Sequence, residues 1–194
     1  MIFLFIAHRG LYNDIIKENT IKAFDNAFNN GYSGIEFDVR LTKDKVPIII
    51  HDSFLSRVYK VKGLVKDYTY QELLNLNLEI PTLEEVVNKY NNKIMIIELK
   101  DKIDITKYLN NNNKYYISSF NYDYISYLNK SNNYKLGVIN YILNSAIDYS
   151  KIDFIMVLDS IYHQKLFKLK DIEIIIYGVV GNINNYNKDL KYII

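Results

Sequence analysis

Short apolar runs recur along the chain, separated by polar or helical-period segments. The runs predict strands at 3–7, 34–40, 46–51, 93–99, 115–118, 135–139, 154–158, 173–177 and 192–194. Most are β-branched or aromatic and nearly continuous in hydrophobicity. That pattern marks strands buried on both faces, as in a parallel sheet covered by helices.

The segments between them carry helical spacing. "ENTIKAFDNAFNNG" puts Ile21, Phe24 and Phe28 on one face and reaches a natural stop at Gly31. "PTLEEVVNKY" opens with Thr82 as N-cap and Glu85 three residues on, a capping box. "NYDYISYLNK" aligns Tyr124, Ile125 and Leu128, and "SIYHQKLFKL" aligns Ile161, Leu166 and Phe167, with His163 on its surface. Alternating strand and helix argues for βα units with right-handed crossovers.

One link breaks the rhythm. Only "LTKDKV" joins the second run to the third, whereas a parallel crossover needs at least about ten residues. Runs 34–40 and 46–51 should therefore form a hairpin-like excursion. Eight principal strands remain, which predicts an α/β fold, a (β/α)8 TIM barrel. At 194 residues it is of minimal size, since such barrels usually need about 250 and seldom fewer than about 200. Nothing along the chain marks a linker or repeat, so 1–194 is read as a single barrel domain with a small insertion at 53–80.

Composition narrows the chemistry. Hydrophobic residues make up 49% and charged ones 24%, which fits a globular protein. A net charge of +2 points to neither nucleic acid nor a membrane surface. With no cysteine, disulfides, thiolate catalysis and zinc–thiolate sites are excluded. The start, "MIFLFIAHRG", is too short an apolar run for a signal peptide and reads as a buried strand, so the expected location is cytoplasmic. The 19 tyrosines are read as codon bias and given no separate role.

In a parallel barrel, chemistry gathers at the C-terminal ends of strands. The first strand ends in His8 and Arg9. The second carries Glu36 and Asp38 at i, i+2, hence on one face. Its return strand ends in His51 and Asp52, the next principal strand in Glu98 and Lys100, and the one after in Ser118 and Ser119. A lone Glu-x-Asp is usually a solvated face, a lone His-Asp a loop or cap feature, and a Glu98–Lys100 pair an ordinary ion pair. Their occurrence at successive strand ends changes the reading. Three carboxylates on one rim suit a hard divalent cation, Mg²⁺ or Ca²⁺, which takes oxygen ligands. Two histidines move protons near neutral pH. Arg9 and Lys100 offer positive charge to a tetrahedral anion. The set suits phosphodiester cleavage.

These motifs, "AHRG", "ENT", "GIEFDV", "IIHD", "IPTLEEVV", "IIELK" and "SSF", resemble the glycerophosphodiester phosphodiesterase family, within the phospholipase C-like phosphodiesterase superfamily. The resemblance is dense from Phe3 to Phe120 and thin afterwards. It implies that His8 and His51 are the catalytic pair, that Glu36, Asp38 and Glu98 hold the metal, and that Arg9 and Lys100 contact the phosphate. Glu18 would orient Arg9 or help at the metal, with Ser119 and Tyr177 supporting the site and Asn19 and Thr20 capping the following helix. The implied reaction converts a small-molecule glycerophosphodiester to glycerol 3-phosphate and an alcohol. Either the glycerol 2-hydroxyl attacks phosphorus first, or water attacks directly. Many members carry Trp-Thr-Val-Asn after the seventh strand and Thr-Asp-x-Pro after the eighth; here 177–180 reads "YGVV" and no Thr-Asp-x-Pro occurs. Within the fold, the alternative is a phospholipase D-like enzyme acting on lysophospholipid or sphingomyelin at a membrane, for which "SFLSRVYKVKGLV" offers apolar and basic residues. A non-catalytic binder of a phosphate ligand has less support, because a mere binder needs no pair of proton carriers. No basic stripe with aromatics supports nucleic-acid binding.

Overall fold

The structure, a computed structural model, describes residues 4–110, 114–140, 146–162, 172–179 and 190–194. The strands are β1 (Leu4–His8), β2 (Gly34–Leu41), β3 (Pro47–Ile49), β4 (Ile94–Leu99), β5 (Tyr115–Ser119), β6 (Tyr134–Asn140), β7 (Phe154–Leu158), β8 (Glu173–Tyr177) and β9 (Lys191–Ile193). The helices are α1 (Ile21–Asn29), α2 (Ser56–Tyr59), α3 (Tyr70–Asn75), α4 (Leu83–Lys89) and α5 (Asp159–Tyr162). Eight strands run parallel in the order β1-β9-β8-β7-β6-β5-β4-β2, and β1 pairs with β2 to close the barrel. The remaining strand, β3, pairs antiparallel with β2, Val39 opposite Ile49 and Leu41 opposite Pro47. The short link thus makes the predicted excursion.

Strand alternation sorts the core into two layers. Ile35, Phe37, Met95, Ile97, Ile117 and Ile155 face the helices, while Ile6, Ile96, Tyr116, Phe154, Ile175 and Ile193 fill the barrel interior. Gly137 on β6 makes room for one interior ring: a Cβ there would lie 2.5 Å from Phe154. Phe154 is fully buried and cannot swing clear. Gly137→Ala should therefore cost about 1–3 kcal/mol, the usual range for overpacking. A chemical-denaturation midpoint measures it, and an unchanged midpoint would contradict this packing. At the N-terminal end of the barrel, Lys135 and Lys191 both pair with Glu173, and both ammonium groups stack near the Tyr116 ring.

α1 begins at Thr20, whose side chain accepts from the Ala23 N–H. Its buried face is Ala23, Phe24 and Ala27, with Phe24 against Phe37 at 5.7 Å between ring centroids. Burying a phenylalanine of this kind is worth roughly 1.5–3 kcal/mol. Asn19 does not cap the helix. It has φ 57°, and its side-chain amide turns toward Asp38 instead. α4 carries the predicted capping box between Thr82 and Glu85, and α3 repeats it with Thr69 and Glu72.

The helix expected at 121–130 is only a 3₁₀ turn, Tyr122–Tyr124, although Ile125 and Leu128 are buried as the spacing required. Five of its ten residues are Asn or Tyr, poor helix formers, and the Asn121 side chain accepts from the Asp123 N–H and tightens the turn. α5 starts at Asp159, one residue before the predicted Ser160; most of that predicted helix, with His163, lies outside the described residues. Residues 53–80 cover one side of the rim with α2 and α3. Their Leu55, Tyr59, Val65 and Leu73 pack with Ile48 and Ile50 into a small cluster of their own. No described helix is long and apolar enough to cross a membrane.

Candidate active site

Register brings the predicted residues together. His8 pairs with Glu36, and Asp38 pairs with Glu98, across parallel strands. Parallel neighbours in register point the same way, so all four face the barrel interior at its C-terminal rim. Glu36, Asp38 and Glu98 are buried, and each offers an oxygen within 4.8 Å of the others. His8, Arg9, Glu36, His51, Glu98 and Lys100 line a cavity of about 220 Å³, whose walls are completed by Phe120, Ile139, Met156, Tyr177 and Ile193.

The turn after β1 is built around the site. Arg9 has φ 57°, a strained conformation for a residue with a side chain. Its N–H donates to the Glu36 carbonyl at 2.9 Å and lies 3.2 Å from Glu36 Oε2. Asn19, also left-handed, donates its N–H to the Arg9 carbonyl at 2.9 Å. Gly10 follows with φ 79°, and a Cβ there would lie 2.7 Å from the Ala23 backbone. Only glycine lets this turn approach α1 so closely.

Charges then interlock. Arg9 Nη1 donates to Glu18 Oε1 at 3.0 Å, and Nε lies 3.4 Å from Asp38 Oδ2. The Asn19 amide donates to Asp38 Oδ2 at 3.0 Å. Lys100 Nζ bridges Asp38 Oδ1, at 3.1 Å, and Glu98. His8 Nε2 is 3.9 Å from Glu36 Oε2. His51 Nδ1 lies 2.7 Å from Asp52 Oδ1, and Arg40 Nε donates to the His51 carbonyl at 2.7 Å.

Burial and neighbours divide the three buried acids. Burial, then the charges of Asp38 and Glu98, push Glu36 well above the usual carboxylate range. Burial and Asp38 also raise Glu98, against the pull of Lys100. Burial would raise Asp38 too, but Lys100, His51, Arg9 and the Asn19 amide hold it below its ordinary value. Lys100 is raised, because Asp38 and Glu98 outweigh its own burial. Burial of its inner face, then the Arg9 cation, holds His8 below the usual imidazole range, while 47% of its side chain stays open at the mouth.

The donor set fits a hard divalent cation. The connected group from Glu36 to Arg57 holds five carboxylates, Glu18, Glu36, Asp38, Asp52 and Glu98, against three permanent cations, Arg9, Arg57 and Lys100. Asp38 and Glu98 have ammonium or guanidinium partners. The described ion-pair partner of Glu36 is a histidine 3.9 Å away. Ionising Glu36 in that setting costs several kcal/mol unless more positive charge arrives, and all the converging donors are oxygens, as Mg²⁺ and Ca²⁺ prefer.

Not every predicted residue reaches the cavity. Ser119 turns to the outer side of the barrel, where its hydroxyl donates to the Leu99 carbonyl at 2.7 Å and accepts from the Asn121 N–H. Its neighbour Ser118 is the inward one, in register with Glu98. Glu18 stands between two arginines and outside the carboxylate trio. Tyr177 lines the wall, whereas Val180 lies outside the described residues. Phe120 is a wall residue that the sequence pattern did not single out; its position directly after the "SS" strand end was the available signal. Arg57 was missed as well, because it has no periodic or motif-like mark of its own, and Asn19 was read as a helix cap where its amide in fact holds Asp38.

A closed parallel barrel with an acidic cluster at its C-terminal rim defines the class of protein. The structure superposes on a glycerophosphodiester phosphodiesterase from Thermotoga maritima with a TM-score of 0.77, 22% identity, and coverage of 100% of this chain and 94% of that one. An Oleispira antarctica phosphodiesterase, in complex with the product sn-glycerol-3-phosphate, gives a TM-score of 0.75 at 22% identity over 97% of this chain and 91% of that one. At such identities these likenesses speak for the fold. In sequence, a glycerophosphodiester phosphodiesterase from Bacillus altitudinis is 43% identical over 111 residues, 50% of this chain and 45% of the relative. The match therefore spans less than half the length of that relative. The profile of the Glycerophosphoryl diester phosphodiesterase family matches residues 8–157, and the chain belongs to that family.

Proposed function

We propose that this chain hydrolyses glycerophosphodiesters to glycerol 3-phosphate and an alcohol, with His8 and His51 as the proton carriers. The observation that carries the reading is a trio of buried carboxylates, Glu36, Asp38 and Glu98, each within 4.8 Å of the others, of which Glu36 and Glu98 line the cavity that His8 and His51 also line. Glu36, Asp38 and Glu98 would hold one divalent cation, Mg²⁺ or Ca²⁺, which when bound supplies positive charge to the phosphoryl oxygens. Arg9 and Lys100, both on the cavity wall, add fixed cations where charge develops. One histidine takes the proton of the glycerol 2-hydroxyl as its oxygen bonds to phosphorus. The other protonates the departing alkoxide as the P–O bond breaks. Water then opens the cyclic phosphate, with the two histidines exchanging roles.

Cavity size supports a small soluble substrate. Drug-sized ligand pockets run about 300–1,000 Å³, and a cavity of about 220 Å³ is of a size for a polar head group. The test is release of the free head-group alcohol, choline or ethanolamine, from glycerophosphocholine, glycerophosphoethanolamine and micellar lysophospholipid, with Mg²⁺ or Ca²⁺ added. Soluble diesters are expected to turn over fastest. Faster turnover of micellar lysolipid would instead favour the phospholipase D-like reading, and no turnover across the panel would favour a phosphate binder.

A further inference from the structure

Arg57 lies on α2, in the insertion rather than the barrel. Nη1 donates to Glu18 Oε2 at 2.8 Å and Nη2 to Glu18 Oε1 at 2.6 Å, a bidentate pair. Nε of the same guanidinium donates to Asp52 Oδ2 at 2.5 Å. The other oxygen of Asp52 meets His51 Nδ1 at 2.7 Å, and Glu18 Oε1 also receives Arg9 Nη1 at 3.0 Å. One planar group thus reaches both sides of the cavity in two steps, to His51 through Asp52 and to Arg9 through Glu18.

We propose that Arg57 is a positioning residue: it locks the His51 tautomer through Asp52 and the Arg9 guanidinium through Glu18, so that the insertion must be docked for the rim to be assembled. This rests on the reading of His51 as a proton carrier. Asp52 accepts a hydrogen bond from Nδ1–H and leaves Nε2 for the cavity, the usual way an outer carboxylate fixes an imidazole. Arg57 holds Asp52 in that pose by its Nε–H. A lysine has the charge and three donors, but on a single nitrogen, without the planar fork whose separate nitrogens here reach Glu18 twice and Asp52 once. The segment 53–80 thereby carries the guanidinium that orders the rim.

The test compares wild type with Arg57→Ala and Arg57→Lys. In wild type, the His51 Nδ1 proton is expected as a downfield hydrogen-bonded resonance in the proton NMR spectrum, assigned by its loss in His51→Ala. Both Arg57 variants should lose or broaden it. With glycerophosphocholine as substrate, both should lower kcat by about 10–100-fold, as loss of an outer-shell partner does, with a smaller change in KM. Added guanidinium should restore part of kcat in Arg57→Ala and none in Arg57→Lys. The Arg57→Ala and Asp52→Asn losses should fall short of multiplying in the double variant, because both act through His51. A folded Arg57→Lys protein with the wild-type resonance and wild-type kcat would overturn the proposal, and it decides the matter if Arg57→Ala does not fold. The NMR readout needs no substrate. An inactive wild type with the resonance present and Arg57-dependent would therefore sink the proposed reaction but not the positioning role.

Discussion

Exhaustive chelation with EDTA is expected to abolish hydrolysis of glycerophosphodiesters, and Mg²⁺ or Ca²⁺ to restore it. The reason lies in Glu36. It is buried beside two further carboxylates, and burial with their charge drives it well above 4.5, its ordinary value. Without a cation that carboxyl keeps its proton to higher pH than a free one. A cation held by Glu36, Asp38 and Glu98 would favour the ionised form of all three. Metal-free protein should then lose stability as pH rises above about 4.5, because the unfolded chain releases the Glu36 proton earlier than the folded one. Glu36→Gln should flatten that dependence. Added cation at one hundred times its Kd should stabilise wild type by about 2.7 kcal/mol, and Glu36→Gln far less. Calorimetry follows the stability and glycerol 3-phosphate release follows the activity. Full activity after exhaustive chelation would falsify the metal assignment.

Replacing either histidine by alanine should lower kcat by about 10²–10⁴-fold, the usual cost of losing a general acid or base. The fold should survive both changes. His8 is 47% exposed and His51 32% exposed, so neither leaves an apolar cavity. Their division of labour is separable by the leaving group. A diester whose alcohol is an acidic phenol departs without protonation. It should recover much of the lost rate in the variant lacking the general acid and little in the one lacking the base. Wild-type kcat in either alanine variant would remove the two-histidine model.

The barrel was legible because its strands are apolar on both faces, and the excursion because "TKDK" is too short for a helix. Glu36, Asp38 and Glu98 were legible because a carboxylate inside such a strand is costly to bury unless a cation offsets its charge. Choosing between Ser118 and Ser119 needed the register of β5 against β4, which alternation alone does not give. Asn19 looked like a cap because Asn usually is one; its left-handed backbone, imposed by the bond to Arg9, turned the amide to Asp38. Arg57 is 39 residues from Glu18, and no local pattern predicts a pairing at that separation.

The packed interior has a consequence for traffic. Ile139, Met156 and Ile193 close the cavity from below, and Ile6, Ile96, Phe154 and Ile175 fill the barrel beneath them. Among the described residues, the chamber is a blind sac with its doorway at the His8 rim. A molecule bound there would enter and leave by that same doorway.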